Sequence, residues 1–532
     1  MNTANQELNQ NNYKWMVVAI VVIGTFMTAL NGSIVNVSLP AIMADFGVNL
    51  DDIQWVVTGY MIAYATLMPL TAWLRDKIGY KILYIASLTV FTIGSILCAS
   101  AWNLPTLIGS RIIQALGGGA ITPTGMAMIT EAFEPHERGR ALGLWGVGVI
   151  LGPSIGPTLG GYLTNHFGWR SIFMVNLPVS IIALIAASLF LIKEIPHKSQ
   201  HRQFDFWGFT FLSIFLIALL LGLSKGEKEG WFSSYIITCA VMSSLGFIGF
   251  ILVESNTSYG IINLHLFKSP VFSICSIIFL VRSVVLFGGI FLLPLFLQQQ
   301  MGYDEMQTGL ILLPSSIVMA FIMPFSGILG DKIGARLPTI FGLIGLWFFM
   351  YMYKNMDVTM SVYDIIFPTL IRGIGMGLLM APVTAVAMNA VSKKDAGMAS
   401  SMLSILMQVG GSLGISILST VLSHRIPFHV SSISSNIDST SPAFTQAFHN
   451  LFIHAHALGF PYALSSQIAQ GILFKHIAQH AVVLSFQDSF LVGSFMVAVA
   501  FILSFFLPGK SARSRITVKN EGEIIEEIAT ID

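Results

Sequence analysis

Long apolar runs alternate with short polar connections along almost the whole chain. An α-helix needs about 20 apolar residues to cross the hydrocarbon core of a membrane, and the runs are close to this length. The pattern predicts fourteen membrane-spanning helices, at residues 15–38, 54–74, 82–101, 104–130, 139–163, 170–192, 207–224, 234–254, 271–298, 307–329, 337–353, 362–390, 398–423 and 487–507. We therefore expect an all-α integral membrane protein.

Two short segments at equivalent places nearly repeat each other. Leu74-Arg75-Asp76-Lys77-Ile78-Gly79 follows the second span, and Leu329-Gly330-Asp331-Lys332-Ile333-Gly334 follows the tenth, 255 residues later. Arg111 and Arg372 also lie at similar depth in the fourth span of each repeat. Internal repeats of this kind are common in secondary transporters. The sequence thus predicts two pseudosymmetric halves of six helices each, with two further helices inserted between them.

The repeat divides the chain into five parts. They are a cytoplasmic N-terminus, a six-helix half, an inserted helix pair, a second six-helix half and a disordered cytoplasmic tail, at residues 1–14, 15–193, 194–265, 266–507 and 508–532. The second half contains an outer segment, residues 425–486, before its last span. This outer segment opens with Ser-rich sequence and is expected to become helical from Pro442.

Composition and charge support a membrane protein and give its orientation. Charged residues make up 10% of the chain, against about 25% in soluble domains, and 54% of the residues are apolar. One side of the predicted membrane holds 18 Lys and Arg residues and the other side holds six, namely Arg170, Lys225, Lys228, Lys354, Arg425 and Lys475. The basic side faces the cytoplasm in such proteins, so both termini are expected there, in a cell inner (plasma) membrane. The net charge of +1 does not indicate a nucleic-acid partner.

Glycines line one face of the fifth span. Gly148, Gly152, Gly156 and Gly160 recur every fourth residue, and Gly161 follows. Small residues at this spacing let another helix approach closely, so we expect this face to be the interface that slides or seals during transport. Tight packing without any such movement is the alternative.

The segment from Gly152 to Gly161, which includes Pro153, resembles the antiporter signature of the major facilitator superfamily. Leu30–Pro40 in the first span and Ala72–Gly79 after the second resemble further motifs of its fourteen-span drug:proton antiporters (EmrB/QacA type). The resemblance implies a multidrug exporter of small amphiphilic molecules that works by alternating access. It also implies that the proton gradient supplies the energy, without a bound cofactor and without enzyme activity.

The repeated loops are candidate gates at the cytoplasmic side. Asp76 and Asp331 end their helices where a carboxylate can face the positive N-terminus of a neighbouring helix, and Arg138 or Arg140 is the expected cationic partner. Such contacts would form only when the halves are closed on the cytoplasmic side. Ordinary loop charges are the alternative. The remaining members of the two loop motifs are Lys77, Gly79, Lys332 and Gly334.

One position departs from the family pattern. Members usually carry an aspartate in the first span, which the resemblance makes a coupling or cation-contact residue, and this chain has Asn31 there. An amide cannot take up a proton near neutral pH. Because no acidic residue lies clearly at mid-membrane, coupling is left to a carboxylate at the end of a span or to a weakly acidic substrate.

Three arginines lie within predicted spans, namely Arg111, Arg282 and Arg372. An arginine at the centre of a membrane helix costs about 2.5 to 3.5 kcal/mol on insertion scales, so it should face a cavity or a buried partner. With Asn31 and Gln114, these arginines are the candidate cavity residues. They predict an electropositive cavity, suited to an anionic or neutral amphiphile.

Other functions remain open at this point. A phosphate-binding Walker loop is missing from the sequence, which argues against transport driven by ATP. The histidines of the outer segment are expected to be solvated, so no metal site is predicted. The alternatives are an exporter of an endogenous anionic metabolite, siderophore or lipid, and a membrane sensor or scaffold without transport. The outer segment is a candidate docking surface for a periplasmic adaptor connected to an outer-membrane channel.

Overall fold

The computed structural model describes residues 2–192, 204–257, 260–436 and 442–508. The predicted disordered tail from 509 onwards lies outside the described residues. Within them, 13 helices are long and apolar enough to cross a membrane, or 14 when one bent helix pair counts as a single span. The all-α membrane fold is thus confirmed.

The first half contains nine helices, of which one pair forms a broken span. They are α1 (Asn2–Phe46), α2 (Leu50–Ile53), α3 (Trp55–Leu67), α4 (Leu70–Ile78), α5 (Tyr80–Ala99), α6 (Leu104–Ala132), α7 (Arg138–Phe167), α8 (Ser171–Met174) and α9 (Asn176–Phe190). The axes of α3 and α4 differ by 53°. Pro69 lies at this break, and proline bends a helix because it lacks an N–H donor and clashes with the preceding turn.

The inserted pair consists of α10 (Phe206–Glu229) and α11 (Ser234–Asn256). The second half follows with α12 (Pro270–Gln299), α13 (Glu305–Ile333), α14 (Arg336–Met352), α15 (Val362–Asn389), α16 (Ala396–Asn436), α17 (Pro442–Ala457) and α18 (Tyr462–Ser504). Short 3-10 helices at Leu264–Lys268, Tyr353–Asn355 and Lys393–Asp395 complete the connections.

The same helix pairs pack together in both halves. Helix α1 packs on α7 as α12 packs on α16, and α5 packs on α6 as α14 packs on α15. Two seams join the halves, because α7 packs on α13 and α4 packs on α16. The fifth span of each half therefore contacts the second span of the other half, which is the arrangement that a duplicated, two-fold related fold produces.

The inserted helix pair covers one of these seams. Helix α10 packs on α3 of the first half and on α16 of the second. Lys228 in the last turn of α10 forms an ion pair with Asp51, and in the turn that follows, the Trp231 indole N–H donates to the Thr420 hydroxyl over 3.1 Å. The inserted pair is thus attached to both halves.

The outer segment differs from its prediction. Helix α16 continues to Asn436 through the Ser-rich stretch, and α18 begins at Tyr462, so Asp488 lies well inside α18. Hydropathy indicates where a helix leaves the membrane, but it does not indicate where the helix ends. Arg425 and His429 of α16 both contact the Asp488 carboxylate, at 2.5 and 2.7 Å, and these contacts hold the two extended helices together.

The glycine face of α7 packs inside the first half. A Cβ atom added to any of these glycines would lie too close to the backbone of α1. The distance would be 2.9 Å from the Cβ at Gly148 to Val22 O, 2.5 Å from that at Gly152 to Leu30 N, and 2.8 Å from that at Gly160 to Ile34 O. We expected this face to slide or seal between moving parts, and the structure places it against a helix of its own half instead. Spacing reveals a face of small residues but not the helix that packs on it.

A second set of glycines on α7 forms the seam with α13. A Cβ atom on Gly139 would lie 2.5 Å from Gly327 O, and one on Gly143 would lie 2.6 Å from Met323 O. These glycines could not be singled out from the sequence, because they lie outside the Gly-rich run. The two backbones meet so closely here that any side chain would separate the halves.

The α1–α7 contact gives a test with a matched control. We expect Gly152→Ala to lower the midpoint of thermal unfolding of the purified protein, because overpacking of this kind costs about 1 to 3 kcal/mol. Gly161→Ala should have little effect, since its Cβ would meet only Val37 Cγ1 at 3.8 Å. Equal midpoints for the two variants would contradict the packing of α7 on α1.

Candidate functional site

Both repeated loops end their helices in the same way. Gly79 and Gly334 have φ angles of +79° and +90°, a region that glycine adopts without strain. Their N–H groups donate to Arg75 O over 2.7 Å and to Gly330 O over 3.1 Å. We call the end of the bundle that carries these two loops the loop end. The glycines place Asp76 and Asp331 in the last turn of α4 and α13.

Asp331 caps the N-terminus of α7 in the other half. Its Oδ1 accepts a hydrogen bond from Gly139 N over 3.2 Å, and its Oδ2 accepts one from Arg140 N over 3.0 Å. The N–H groups of a first helical turn have no acceptor within their helix, and the helix dipole favours a negative charge there. The sequence predicted a contact of this kind. Its role as a gate stays a prediction.

The expected cationic partners behave differently. The Arg140 guanidinium lies over the Trp15 ring, 4.7 Å from its centroid, and the Arg140 backbone N–H donates to Asp331. The buried Arg138 reaches across the seam, where its Nη1 donates to Asn389 Oδ1 over 2.7 Å. The Asn389 amide donates in turn to Pro135 O over 3.1 Å. These contacts close the halves against each other at the loop end.

The loop of the first half is held by charges of its own half. Asp76 Oδ1 accepts from Arg75 Nη1 over 2.9 Å, and Arg75 Nη2 donates to Glu131 over 3.2 Å. Lys77 lies over the Trp73 ring at 4.9 Å. Lys332, its counterpart in the second half, is exposed. The two loops are therefore alike in backbone and different in the contacts of their charges.

A hydrogen-bonded cluster fills the interior of the first half. Asn31 and Gln114 exchange amide hydrogen bonds of 3.2 and 3.3 Å, and Asn176 Nδ2 donates to Asn31 Oδ1 over 3.2 Å. Gln114 Nε2 also donates to Ser95 Oγ over 2.7 Å. We call Asn31, Ser95, Gln114 and Asn176 the amide cluster. Sequence analysis predicted Asn31 and Gln114 but did not place Ser95 or Asn176 beside them, because the four residues come from four different helices.

Arg111 borders the amide cluster. Its Nη1 donates to Gln114 Oε1 over 2.7 Å and its Nε to Val56 O over 3.3 Å, while its guanidinium carbon lies 3.9 Å from the Tyr60 ring centroid. Arg111, Gln114 and Asn31 are each no more than 1% exposed. In this conformation they form a connected polar core of the first half and do not line an open cavity.

The other two candidate arginines lie in the second half. Arg372 Nη2 donates to Ser315 Oγ over 3.3 Å, and its guanidinium lies 5.4 Å from the Phe349 ring centroid. Arg282 is 1% exposed, and its guanidinium carbon lies 4.0 Å from the Phe279 ring centroid. The five predicted cavity residues thus form two groups, one inside each half.

The Asp331 contact can be tested directly. We expect Asp331→Asn to weaken the closed α7–α13 seam by about 0.3 to 1 kcal/mol, roughly two- to fivefold, because the neutral amide loses the interaction with the helix dipole. The readout is the alkylation rate of a cysteine at position 323, where Met323 is fully buried at the seam.

Asp304→Asn is the control for this measurement, because Asp304 caps the first turn of its own helix, α13. We expect the alkylation rate at position 323 to rise in Asp331→Asn and to stay unchanged in Asp304→Asn. A rate that Asp331→Asn leaves unchanged would show that the cap does not hold the seam closed.

Comparison with known proteins identifies the family to which the chain belongs. The profile of the Major Facilitator Superfamily matches residues 21–415. The chain is 31% identical to the uncharacterised MFS-type transporter YhcA of Bacillus subtilis (strain 168), with 94% of each chain covered. It is also 31% identical to the probable multidrug resistance protein EmrY of Escherichia coli (strain K12), covering 81% of this chain and 85% of that protein.

A solved structure shows the same fold. The human organic anion transporter MFSD10 (TETRAN) superimposes with a TM-score of 0.57 at 14% identity, covering 91% of this chain and 99% of that one. The profile match and the alignment with EmrY show that the chain is a transporter and not an enzyme. The profile match and the long alignments with both relatives show that it belongs to the major facilitator superfamily and, within it, to the drug:proton antiporter family.

Proposed function

We propose that the protein is an exporter of small amphiphilic molecules in the inner (plasma) membrane, driven by the proton gradient, with both termini in the cytoplasm. The observation that carries this proposal is the Asp331 cap on α7, since it closes the loop end of the two halves. With the loop end on the cytoplasmic side, this conformation is the one from which cargo leaves outward. The name of the relative EmrY, a multidrug resistance protein, supports export of drug-like compounds.

Alternating access requires that the closing contacts can open again. The Asp331 cap consists of two hydrogen bonds to backbone N–H groups, and the Arg138–Asn389 contact adds one more. A charge at a helix N-terminus contributes about 0.3 to 1 kcal/mol, so a ligand that prefers the open state can reverse it. Across the same α7–α13 seam, Ser154 Oγ donates to Ser316 Oγ over 2.7 Å, which is a further contact that must open.

Because position 31 is an asparagine, the proton cannot be carried there in this proposal. Within the amide cluster and its contact with Arg111, the described groups are neutral or cationic, so no carboxylate there takes up a proton. We propose that the proton is carried by another group or by a weakly acidic cargo. A weakly acidic cargo corresponds to the second candidate function, export of an endogenous anionic metabolite, siderophore or lipid.

We also propose that the outer segment is the contact surface for a periplasmic adaptor. Three large apolar side chains of this segment, Leu458, Tyr462 and Phe474, are between 60% and 73% exposed. Helices α17 and α18 pack on each other there, which gives these side chains a fixed support.

Flux in proteoliposomes tests the proposed function. The probes are dansylglycine, its methyl ester and dansylcholine, which share a fluorophore and are anionic, neutral and cationic. We expect at least one probe to accumulate in liposomes with an acidic lumen, and to do so only with the protein present and the pH gradient intact. The absence of accumulation of all three probes, compared with protein-free liposomes, would overturn the proposal and favour a sensor or scaffold.

Asn31→Asp tests the coupling. A carboxylate at this position would lie beside Gln114 and near Arg111, at the place where the family carries its aspartate. We expect the variant to gain export of dansylcholine that depends on the pH gradient. Asn36→Asp is the control, because Asn36 is exposed on the same helix. Unchanged dansylcholine flux in a folded Asn31→Asp protein would show that this position does not set coupling or selectivity.

A further inference from the structure

Arg282 has two buried nitrogen atoms that make no hydrogen bond. It lies near the middle of α12, is 1% exposed, and neither Nε nor Nη2 has a hydrogen-bond partner. Buried polar groups in proteins are nearly always hydrogen-bonded, and inside a membrane no water compensates for a missing partner. Arg111 and Arg372, the other arginines within the spans, both donate to neighbouring oxygens.

Among the described residues, no counter-charge neutralises this guanidinium. Of the described residues, the only buried acidic one is Glu254 in the inserted pair, where its Oε1 accepts from Ile262 N. The ion pairs found among the described residues do not involve Arg282. The Phe279 ring lies beside the charge, with its centroid 4.0 Å from the guanidinium carbon. An arginine that keeps two nitrogens without a partner among the described residues at this depth is suited to a partner that arrives from outside.

A second arginine lies close to the same region. The close contacts of α16 with α12 involve Leu280, Ser283 and Val284, and Arg282 lies on the opposite side of α12 at about 100° per residue. Gly289, two turns further on the same side as Arg282, would place a Cβ 3.6 Å from Phe349 of α14. Phe349 also contacts the Arg372 guanidinium, at 5.4 Å from its ring centroid. This interior of the second half therefore carries two positive charges.

The two free nitrogens identify the chemistry of the missing partner. Nε and Nη2 form one edge of the guanidinium, and their N–H bonds point in parallel. This edge binds two oxygens of a carboxylate, sulfonate or phosphate at once, which is among the strongest charge-assisted contacts in proteins. Since the Phe279 ring contacts the guanidinium, an aromatic or apolar body attached to the oxyanion would find apolar surroundings beside it.

We propose that the Nε–Nη2 edge of Arg282 is a binding site for the oxyanion group of the transported molecule, and that the cargo is an anionic amphiphile. This inference rests on the proposed export function and names its substrate class. Arg372 adds positive charge to the same region and remains bound to Ser315. The oxyanion would enter when the two halves move, because Arg282 is enclosed in the conformation described above.

Binding of matched probes tests this site. We expect the purified protein to bind dansylglycine at least about tenfold more tightly than its methyl ester, which has the same body without the charge. Arg282→Gln should abolish this preference and leave the affinity for the ester within about twofold. Arg282→Lys keeps the charge without the paired donors and should give an intermediate affinity. Arg336→Gln, which removes a guanidinium that donates to Leu507 O, is the control and should bind both probes like the wild type.

Several results would overturn the proposal. Equal affinities of the wild type for the acid and its ester would do so even if Arg282→Gln fails to fold, because this comparison needs no variant. Saturation of the site by inorganic phosphate, without any effect of dansylglycine, would assign Arg282 to a resident ion and not to cargo. Flux of dansylglycine that Arg282→Gln leaves unchanged would also reject the site, while the export function would stand. Absence of all flux would reject the export function, and the binding comparison would still decide the site.

Discussion

Helix α7 contacts two other helices backbone to backbone, and the arrangement of the whole bundle depends on this double contact. One face meets α1 through Gly148, Gly152 and Gly160, and another meets α13 through Gly139 and Gly143. Close approach of this kind is available only to residues without a side chain, and it replaces the hydrophobic effect that the bilayer does not supply between helices. The α1 face makes the first half rigid. The α13 face forms a seam between the two halves, where a side-chain hydrogen bond from Ser154 to Ser316 accompanies the glycine contacts.

The bilayer also requires that buried polar groups have hydrogen-bond partners within the protein, and the two halves meet this requirement differently. In the first half, Arg111 finds its acceptor in Gln114, three residues further along α6. The equivalent position after Arg372 in the second half is Gly375, so this acceptor is missing there. Within the amide cluster of the first half, Asn31 and Gln114 are hydrogen-bonded to each other and to their neighbours. In the second half, Arg372 donates to Ser315, but the Nε–Nη2 edge of Arg282 has no acceptor among the described residues. This difference between the halves points to an anionic cargo.

Part of this picture could be predicted from the sequence. Apolar runs located the spans, and the repeated loops correctly indicated that Asp331 meets the N-terminus of another helix. The length of α16 and α18 could not be predicted, because hydropathy does not report the part of a helix that extends beyond the membrane. The partner of the Gly152 face could not be predicted either, since spacing along one helix does not identify its neighbour.

The contacts of the polar residues could not be predicted from the sequence either. The sequence identified Asn31 and Gln114 as unusual, but their union with Ser95 and Asn176 depends on how four helices converge. The isolation of Arg282 is a property of its surroundings as a whole, and it becomes visible only when every neighbouring side chain is placed. Sequence therefore indicated which residues are unusual, and the structure shows which of them have partners.

Distances between spin labels test most directly whether the halves rock about the α7–α13 seam. Labels at positions 136 and 332 report on the loop end, and labels at 162 and 306 report on the opposite end of the seam, where Tyr162 and Met306 are 56% and 64% exposed. The native cysteines are all buried, which favours specific labelling. Rocking predicts two populations, in which a short distance at one end accompanies a long distance at the other, and a shift between them when cargo or a pH gradient is added. A single distance at each end that neither cargo nor pH changes would contradict it.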